Sequence, residues 1–428
     1  MCPSPPARNA RRVAGASAIG TTVEWYDFFI YGTAAATVFG PRFFPQVSPA
    51  AATLASFATF GVGFIARPIG GVVIGHFGDR VGRKSMLVWS LMLMGLATLG
   101  IGLLPDYSQI GVWAPVLLVV FRLIQGFALG GEWGGAVLMS IEHAPEGRRG
   151  LYGSIVALGL PLGIVLSNAV FLVSSVMVDA SAFLAWGWRV PFLASVVLIG
   201  VGLYIRVGLV ESPAFTEVRR NSATRRMPVV DVLRSHGGTV LLAAGSYTGI
   251  SALGYVCLVY YVSYATRELR LSLPSVLMPL LVAAMLFGVS VIAFARWSDR
   301  VGRRRIMLWG NAALVVWAIV FFPLLDTRSV PLIGATLSVM LVIQGAYIGT
   351  QPAVFSELFP PSCRYSGASL SNTLGTILGG APAPFIAAAL FERFGTSTAV
   401  GAYMTVMAFI SWASVLGLKE TAPRSGAG

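Results

Sequence analysis

The sequence predicts an all-α integral membrane protein whose twelve transmembrane helices form two parallel repeats of six, with both termini in the cytoplasm. Three observations lead to this prediction. The chain of 428 residues is 56% hydrophobic and only 11% charged, whereas soluble domains carry about 25% charged residues. It contains twelve apolar stretches near the length of about 20 residues that crosses a bilayer. Its basic residues lie mostly on one side of those stretches.

The twelve predicted spans follow a short cytoplasmic tail, 1–12, and fall into two groups of six. They cover residues 13–39, 53–77, 85–104, 112–141, 151–176, 188–209, 240–265, 276–295, 307–325, 332–355, 368–390 and 397–418. The first bundle therefore occupies residues 13–209, the second occupies 238–418, and a tail, 419–428, follows. The segment between them, 210–237, is rich in arginine and has no apolar period, which predicts a cytoplasmic linker.

The formal charge of +13 raises the question of a nucleic-acid partner. With the N-terminus inside, 22 of the 30 lysines and arginines lie on the cytoplasmic side and 6 lie on the outer side. The positive-inside rule predicts this asymmetry. Topology therefore explains the charge, and we expect no nucleic-acid partner. The three cysteines are isolated and no histidine has metal-ligand spacing, so we expect no metal.

An internal repeat relates the two halves. Residues 78–84 read Gly-Asp-Arg-Val-Gly-Arg-Lys, and residues 298–304 read Ser-Asp-Arg-Val-Gly-Arg-Arg, at an offset of 220. A second match aligns Gln125-Gly126 with Gln344-Gly345. Both matches keep the same orientation, so the halves are predicted to be related by an axis normal to the membrane.

The segment 75–84, with the pattern Gly-x-x-x-Asp-Arg-x-Gly-Arg-Lys, resembles the most recognisable signature of the major facilitator superfamily. Further stretches resemble its metabolite:proton symporter branch, among them Glu-Trp-Tyr-Asp-Phe-Phe at 24–29 and Gly-Gly-Glu-Trp-Gly-Gly at 130–135. The resemblance covers nearly the whole chain, and the segment 43–61 is most similar to shikimate-type carriers. It implies the twelve-helix fold of that superfamily and a multi-pass location in the cell inner membrane.

Four charged side chains lie near the middle of predicted spans: Glu24, Asp27, Arg67 and Arg122. Each such charge costs about 2.5–3.5 kcal/mol at the membrane centre, so they must face each other or a wet cavity. Glu24 and Asp27 are three residues apart and share a helix face. The two acids and the two arginines could form two ion pairs that fasten the first, second and fourth spans. We favour a substrate and proton site.

Roles at this site follow from charge. A low-dielectric surrounding favours the neutral form of a carboxyl group, so Asp27 is the first candidate for the proton carrier, followed by Glu24 and Glu132. A guanidinium group binds a carboxylate bidentately, so Arg122 and Arg67 are candidates for holding a substrate carboxylate. The second half offers neutral polar groups, among them Tyr247, Tyr255, Tyr260 and Tyr261. Packing in an interfacial belt or between helices is the alternative, and it is favoured for Tyr260 and Tyr261, near an outer end. The predicted substrate-binding set also includes Tyr26, Gln125, Gln344, Tyr347, Gln351 and Asn372.

The repeated loops predict a cytoplasmic gate between the halves. Their aspartates lie beside a helix start, where a carboxylate is stabilised, and their glycines permit a tight turn. A plain topology signal is the alternative, but aspartate and glycine add nothing to topology. Acid–base pairs seven residues apart recur at the ends of the fourth and tenth spans. The predicted gate comprises Asp79, Arg80, Gly82, Arg83, Asp299, Arg300, Gly302, Arg303, Glu142, Arg149, Glu357 and Arg364.

These features predict a secondary active transporter that imports a small polar organic acid, such as shikimate, 2-oxoglutarate or another carboxylate, together with protons. The proton gradient would drive it by alternating access at a central cavity, and no cofactor is expected. The expected partners are the substrate, protons and the lipid bilayer, and the chain is expected to be a monomer. No GxSxG or HExxH motif is present, which argues against an enzyme.

Three alternatives remain at this stage. A proton-coupled efflux antiporter is disfavoured because Gly-Leu-Pro-Leu-Gly at 159–163 departs from the antiporter element of the superfamily. A carrier of a zwitterion such as betaine or proline would use Glu24 and Asp27 for the cationic end. A non-transporting membrane receptor on a carrier scaffold is the remaining alternative, and the mid-span charges argue against it.

Overall fold

The computed structural model describes residues 5–81, 83–130, 135, 137, 140–141, 149–207, 228–360 and 363–422. For residues 5–14, 75–81, 83–84, 87, 149, 205–207 and 228–231 it describes the backbone alone. Within these ranges every regular element is helical. The predicted all-α class is therefore confirmed.

Each of the twelve predicted spans corresponds to a helix or a pair of helices in the described residues, and we number them spans 1 to 12 in chain order. Spans 1 to 6 are Pro5–Thr37, Pro49–Val81, Arg83–Leu103, Trp113–Leu129, the pair Arg149–Ala157 and Gly159–Met177, and Val190–Val207. Spans 7 to 12 are Pro228–Tyr255 continued to Arg267, Leu273–Val301, Arg303–Leu325, Val330–Glu357, Arg364–Gly375 continued to Phe394, and Ser397–Gly417. Short helices, Phe39–Phe43, Tyr107–Ile110 and Ala180–Ala185, lie between spans.

Over the described residues, nine helical stretches are long and apolar enough to cross a membrane, by length and composition alone. The apolar parts of spans 3 and 4, Val88–Leu103 and Trp113–Leu129, are shorter. Span 7 begins at Pro228, inside the predicted linker, and bends at His236, where φ is −133°. Residues 210–227 of that linker lie outside the described part.

Several spans are interrupted near their middle. Span 5 breaks at Leu158 because Pro161 has no N–H to donate to the carbonyl group of Ala157. Spans 7 and 11 each contain a π-helical turn, Val256–Tyr260 and Thr376–Gly380. Such turns occur frequently at functional sites. The interruptions therefore mark the helices that border the centre of the molecule.

The two halves repeat the same helix neighbours. Span 2 packs on span 4 as span 8 packs on span 10, and span 1 packs on span 5 as span 7 packs on span 11. Glycines allow the closest approaches. A Cβ built on Gly126 would lie 1.8 Å from the carbonyl oxygen of Gly63, and one built on Gly349 would lie 2.3 Å from that of Val291. The predicted parallel repeat is therefore confirmed, with small residues at matching helix contacts.

Contacts between the halves surround the centre of the molecule. We call the side of the predicted cytoplasmic loops the inner side, and the opposite side the outer side. Spans 5 and 8 pack along one another, and the first helix of span 5 also contacts span 10. Span 2 contacts span 11, and span 1 contacts the last part of span 7. These contacts leave a central space between the halves.

Candidate functional site

A cavity with a volume of about 350 Å³ not occupied by protein atoms lies between the two halves. Span 1 contributes Trp25 and Phe29, span 7 contributes Tyr247 and Tyr255, and span 10 contributes Gln344. The remaining lining residues are Leu160, Ile250, Ser251, Gly254, Leu258, Phe287 and Ile348. A mostly apolar wall with a few polar groups is typical of small-molecule sites. The first-half aromatic pair was missed by the sequence analysis, although its spacing of four residues places both rings on one helix face.

Contacts between the halves occur on both sides of this cavity. On the outer side, the ring centroids of Phe57 and Tyr260 lie 6.3 Å apart. On the inner side, the backbone N–H of Gly150 donates to Asp299 Oδ1 over 3.2 Å. In the described residues, the halves therefore touch on both sides of the central space.

Asp27 lies inside the first half, beside the cavity rather than in its wall. Its side chain is 1% exposed. The hydroxyl group of Thr98, in span 3, donates to Asp27 Oδ2 over 3.0 Å, and Asp27 Oδ1 has no hydrogen-bond partner among the described residues. The amide group of Gln125 donates to the same Thr98 oxygen over 2.8 Å, and its Oε1 accepts from Arg122 over 3.1 Å. A continuous chain of hydrogen bonds thus joins the buried carboxyl group to the buried guanidinium group.

Sequence reasoning predicted three members of this chain and missed Thr98. The sequence gives little indication of a role for Thr98, because the hydroxyl group of a threonine in a helix usually bonds to the backbone carbonyl group four residues earlier. Thr98 does this as well, with Met94 as the acceptor at 2.9 Å. A hydroxyl group at the middle of an otherwise apolar span is the feature that could have identified it.

Aromatic rings surround both mid-span arginines. The guanidinium carbon of Arg122 lies 4.1 Å from the ring centroid of Tyr31 and 4.6 Å from that of Phe28. The guanidinium carbon of Arg67 lies 4.4 Å from the centroid of Phe64 and 5.1 Å from that of Phe28. Rings stabilise these cations through their quadrupoles. Among the described residues, no carboxylate lies within 4 Å of either arginine.

The other predicted first-half residues have different surroundings. Tyr26 is fully buried, and its hydroxyl group donates to the carbonyl oxygen of Pro191 over 2.7 Å, away from the cavity. Glu24 is 8% exposed and lies in electrostatic range of Asp27 and Arg67. Glu132 lies outside the described residues. The structure therefore brings Asp27, Gln125 and Arg122 together and holds Tyr26 apart from them.

The predicted polar groups of the second half are mostly bonded to one another. The hydroxyl groups of Tyr347 and Ser246 are 2.6 Å apart, and the ring of Tyr347 stacks on that of Tyr247 at 5.9 Å. Gln351 donates to Asn372 over 3.0 Å. Gln344 differs, because it lines the cavity and its buried Nε2 atom has no hydrogen-bond partner in the part of the chain that the structure describes.

The contact on the inner side involves residues of the predicted gate that belong to the second half. Asp299 accepts from Gly150, at the start of span 5, and from Arg303 over 3.4 Å. Arg303 is 2% exposed and also pairs with Glu357, so that Glu357 binds Arg303 rather than Arg364. The N-terminus of a helix favours a carboxylate, which explains the bond between Asp299 and Gly150. Asp299 thus connects the two halves directly.

The other residues of the predicted gate differ in their surroundings. Gly302 has a φ of 108°, a conformation that favours glycine, so the tight turn is present. Arg300 is exposed on the inner side. The side chains of Asp79, Arg80, Arg83 and Arg149, together with Gly82 and Glu142, lie outside the described part of the chain.

The inner side also contains a carboxylate that the sequence analysis did not single out. Glu420, after span 12, accepts from the backbone N–H groups of Arg303 over 2.9 Å and Arg304 over 3.2 Å. It therefore caps the start of span 9 through the favourable interaction of a carboxylate with a helix N-terminus. Only the folded chain brings residue 420 to this position.

We expect Asp299→Asn to open the inner side. The change removes the charge that accepts from Gly150 and that pairs with buried Arg303. A loss of about 1.5 kcal/mol would raise the ratio of open to closed molecules about tenfold. The measurement is the labelling rate of a cysteine introduced at Ser251, in the cavity wall, by an impermeant thiol reagent added to inside-out vesicles.

Asp106→Asn is the matched control for this prediction. Asp106 pairs with Arg42 on the outer side at 3.3 Å, so its replacement leaves the inner contacts intact. An unchanged labelling rate in the Asp299 variant would show that this carboxylate does not hold the halves together.

Comparison with known proteins identifies the family. The model of the Major Facilitator Superfamily matches residues 17–384. The chain belongs to the major facilitator superfamily. This superfamily member is 43% identical over 425 residues to an inner membrane metabolite transport protein of Escherichia coli strain K12, covering 98% of this chain and 96% of that protein. It is 42% identical to the shikimate transporter of the same strain, covering 96% and 95%.

Solved structures of the superfamily agree with the fold. A xylose transporter of Escherichia coli, in a partially occluded inward open conformation, superimposes with a TM-score of 0.77 at 18% identity, covering 97% of this chain and 99% of that one. At this identity the likeness shows the fold alone. This superfamily member is therefore a multi-pass inner membrane transporter rather than an enzyme.

Proposed function

We propose that this transporter imports a small organic acid together with protons, with Asp27 as the proton carrier and with Arg122 and Arg67 as the cations that attract the substrate carboxylate. The observation that carries the proposal is the chain of hydrogen bonds from Asp27 through Thr98 and Gln125 to Arg122. It links Asp27, which would take up the proton, to Arg122, whose charge would attract the substrate.

The hydroxyl group of Thr98 responds to the protonation state of Asp27 in this proposal. Its single hydrogen has two acceptors in reach, Asp27 Oδ2 at 3.0 Å and the carbonyl oxygen of Met94 at 2.9 Å. A charged carboxylate attracts this hydrogen more strongly than a neutral carbonyl group does. When Asp27 is protonated on Oδ1, Oδ2 becomes a weaker acceptor, and the hydrogen of Thr98 turns towards Met94. Proton uptake thus changes the bonds around Gln125 without displacing a helix.

The free oxygen of Asp27 is the position at which a proton would bind. Among the described residues, Asp27 Oδ1 is buried and has no hydrogen-bond partner, so a proton there displaces no existing donor. Because Asp27 lies beside the cavity wall at Trp25 and Phe29, a change in its charge acts on the substrate through the surrounding field. Coupling by charge is effective here because the low dielectric of the site screens little.

A second candidate is the transport of a zwitterion. A glycine betaine/proline/ectoine/pipecolic acid transporter of Dickeya dadantii is 34% identical to this chain, covering 97% of it and 85% of that protein. The rings of Trp25, Phe29 and Tyr255 face the cavity and could hold a quaternary ammonium group. The arginine pair beside the cavity favours an anion, which is why we place the organic acid first.

Uptake by proteoliposomes tests the proposal. The vesicles are offered shikimate, 2-oxoglutarate, citrate, benzoate and glycine betaine, each with and without an imposed pH gradient. We expect an organic acid to accumulate only with the gradient and to leave when a protonophore is added. Accumulation of betaine alone would favour the zwitterion, and gradient-driven expulsion would favour the antiporter. Saturable binding without transport of any solute would support a receptor.

A further inference from the structure

An aromatic contact joins spans 8 and 9 on the outside of the bundle, near the inner side. The ring centroids of Trp297, in span 8, and Trp309, in span 9, lie 5.8 Å apart. The ring of Phe294 stacks on that of Trp297 at 6.0 Å. The two tryptophans nevertheless remain 45% and 54% exposed. Exposed indole rings in membrane proteins favour the level of the lipid headgroups. The aromatic pair therefore marks the membrane surface on this face.

Apolar side chains continue this face towards the middle of the membrane. Val289 lies eight residues before Trp297 in span 8, on the same helix face, and is exposed. Val316 lies seven residues after Trp309 in span 9, again on the same helix face, and is also exposed. Exposed apolar side chains at this depth contact lipid chains. The two tryptophans are therefore the last residues of a lipid-facing stripe.

Three exposed arginines lie beside the aromatic pair: Arg296, Arg300 and Arg305. Arg300 follows Trp297 by three residues, and Arg305 precedes Trp309 by four. Because span 8 ends and span 9 begins on the inner side, both arginines lie on the inner flank of the rings, by about 4.5–6 Å along the helix axes. Arg296 lies one helical turn before Arg300, at the depth of the rings. The three charges thus lie at the headgroup level.

Other charged groups nearby already have partners. Asp299 and Glu357 both pair with Arg303, and Glu420 accepts from the backbone N–H groups of Arg303 and Arg304. The guanidinium group of Arg304 donates to two carbonyl oxygens at the end of span 12. In contrast, the three exposed arginines have no carboxylate within 4 Å in the part of the chain that the structure describes. Their charges are available to a ligand.

The first half has a different set of residues at these positions. The repeat offset of 220 residues places His76, Arg80 and Ser85 where the second half has its three arginines. Trp89 matches Trp309 and is likewise exposed. The first half thus keeps the tryptophan with one arginine in place of three. Basic residues serve topology at any position of an inner loop, so topology does not explain their grouping around two tryptophans.

We propose that Arg296, Trp297, Arg300, Arg305 and Trp309, which we call the Trp–Arg surface, bind an anionic phospholipid of the inner leaflet. A guanidinium group can donate two parallel N–H bonds to one phosphate group. The indole rings contact the lipid at the base of its headgroup, and the acyl chains follow the apolar stripe. The ammonium group of a zwitterionic lipid is repelled by the arginines, so the surface selects an anion. This inference does not depend on the transported solute.

Fluorescence quenching in bilayers tests the inference with the full-length protein. The vesicles consist of phosphatidylcholine with a minor fraction of phosphatidylglycerol, and bromine atoms are carried by the acyl chains of one lipid or the other, at the same mole fraction. Brominated chains quench a tryptophan that they contact. Each arginine near the surface is expected to contribute about fivefold in affinity for an anionic lipid, or about 1 kcal/mol. We therefore expect brominated phosphatidylglycerol to quench more strongly.

Two tryptophan variants locate this excess quenching. Trp297→Phe combined with Trp309→Phe should remove the excess, because the reporting indoles are lost while the rings remain aromatic. Trp89→Phe is the matched control, since it replaces an exposed tryptophan at the equivalent position of the first half. The control should retain the excess. Excess quenching that survives in the double variant would overturn the proposed location.

Arginine variants test the charge. Arg296→Gln combined with Arg305→Gln should lower the affinity for brominated phosphatidylglycerol about 25-fold, the product of two fivefold effects. Arg270→Gln combined with Arg328→Gln is the matched control, because it removes two exposed arginines from the outer side. Its affinity should remain that of the unmodified protein. The midpoint of thermal unfolding verifies that each variant is folded.

Three results would overturn the inference. Equal quenching by the two brominated lipids would show ordinary interfacial tryptophans without selection of an anion. Unchanged affinity in the variant of Arg296 and Arg305 would exclude these arginines from lipid binding. An equal loss in the variant of Arg270 and Arg328 would show that the net charge of the protein, rather than the Trp–Arg surface, attracts the lipid.

Discussion

Replacement of Asp27 by asparagine is expected to abolish gradient-driven accumulation of the substrate, with uptake at least about tenfold below that of the unmodified protein. An amide group cannot release a proton in the working range of pH, so the variant would remain in one charge state. Its oxygen still accepts from Thr98, so the local packing is preserved. The measurement is accumulation in proteoliposomes under an imposed pH gradient.

Counterflow provides the internal control for this variant. Exchange of labelled for unlabelled substrate requires the cavity to alternate but requires no proton release. Asp27→Asn should therefore retain counterflow while it loses accumulation. A variant that merely misfolds would lose both. Accumulation that still follows the pH gradient in Asp27→Asn would exclude this carboxyl group as the proton carrier.

The second large effect is expected at Gly126, where spans 2 and 4 come closest. The Cβ of an alanine there would lie 1.8 Å from the carbonyl oxygen of Gly63 and 2.7 Å from its carbonyl carbon. These are backbone atoms, so no side-chain rotation relieves the clash and the two helices must separate. Overpacking of this kind costs about 1–3 kcal/mol or more. Gly126→Ala should therefore lower the midpoint of thermal unfolding in detergent by several degrees.

Two comparison variants sharpen this prediction. Gly200→Ala places a methyl group in span 6 with no atom of the described residues within 4 Å, so it should leave stability unchanged or raise it slightly. Gly345→Ala is the repeat equivalent of Gly126→Ala, but its nearest obstacle is the side-chain oxygen of Ser290, which can rotate. We therefore expect an intermediate effect. Equal midpoints for the alanine variants at 126 and 200 would contradict the close approach of spans 2 and 4.

Gly126→Ala is also expected to affect the candidate functional site, at Arg122. Arg122 lies one helical turn before Gly126, and a Cβ built on Gly63 would lie 2.8 Å from Arg122 Nε. The same glycine contact that brings spans 2 and 4 together thus leaves the space in which the guanidinium group lies. The packing between spans 2 and 4 and the position of Arg122 therefore depend on the same glycine contact.

Most of the fold could be predicted from the sequence because most spans are long and apolar enough to be recognised one by one. A helix needs about 20 apolar residues to cross the bilayer, and twelve such stretches are visible without any tertiary information. The repeat followed from the matching loops at Asp79 and Asp299. The mid-span charges at Asp27, Arg67 and Arg122 were also identifiable, since a buried charge in a membrane is costly and rare.

The partners of those charges required the tertiary structure. Helix periodicity shows which residues share a face, but the rotation of each span against its neighbours depends on the packing of all of them. Thr98 contacts Asp27 from a different span, and Tyr26 turns to Pro191 although it is adjacent to Asp27 in sequence. Glu420 reaches the start of span 9 from a position more than a hundred residues later.

The amino-acid sequence alone was enough to predict the membrane class, the twelve spans, the repeat and the few charges that topology does not explain, because these depend on composition and on local length. The tertiary structure decided which side chains face the cavity, which donors are left without partners and which contacts close the inner side. The reason is physical. Burial in a membrane is a property of each segment, whereas a binding site is a property of the distances between segments.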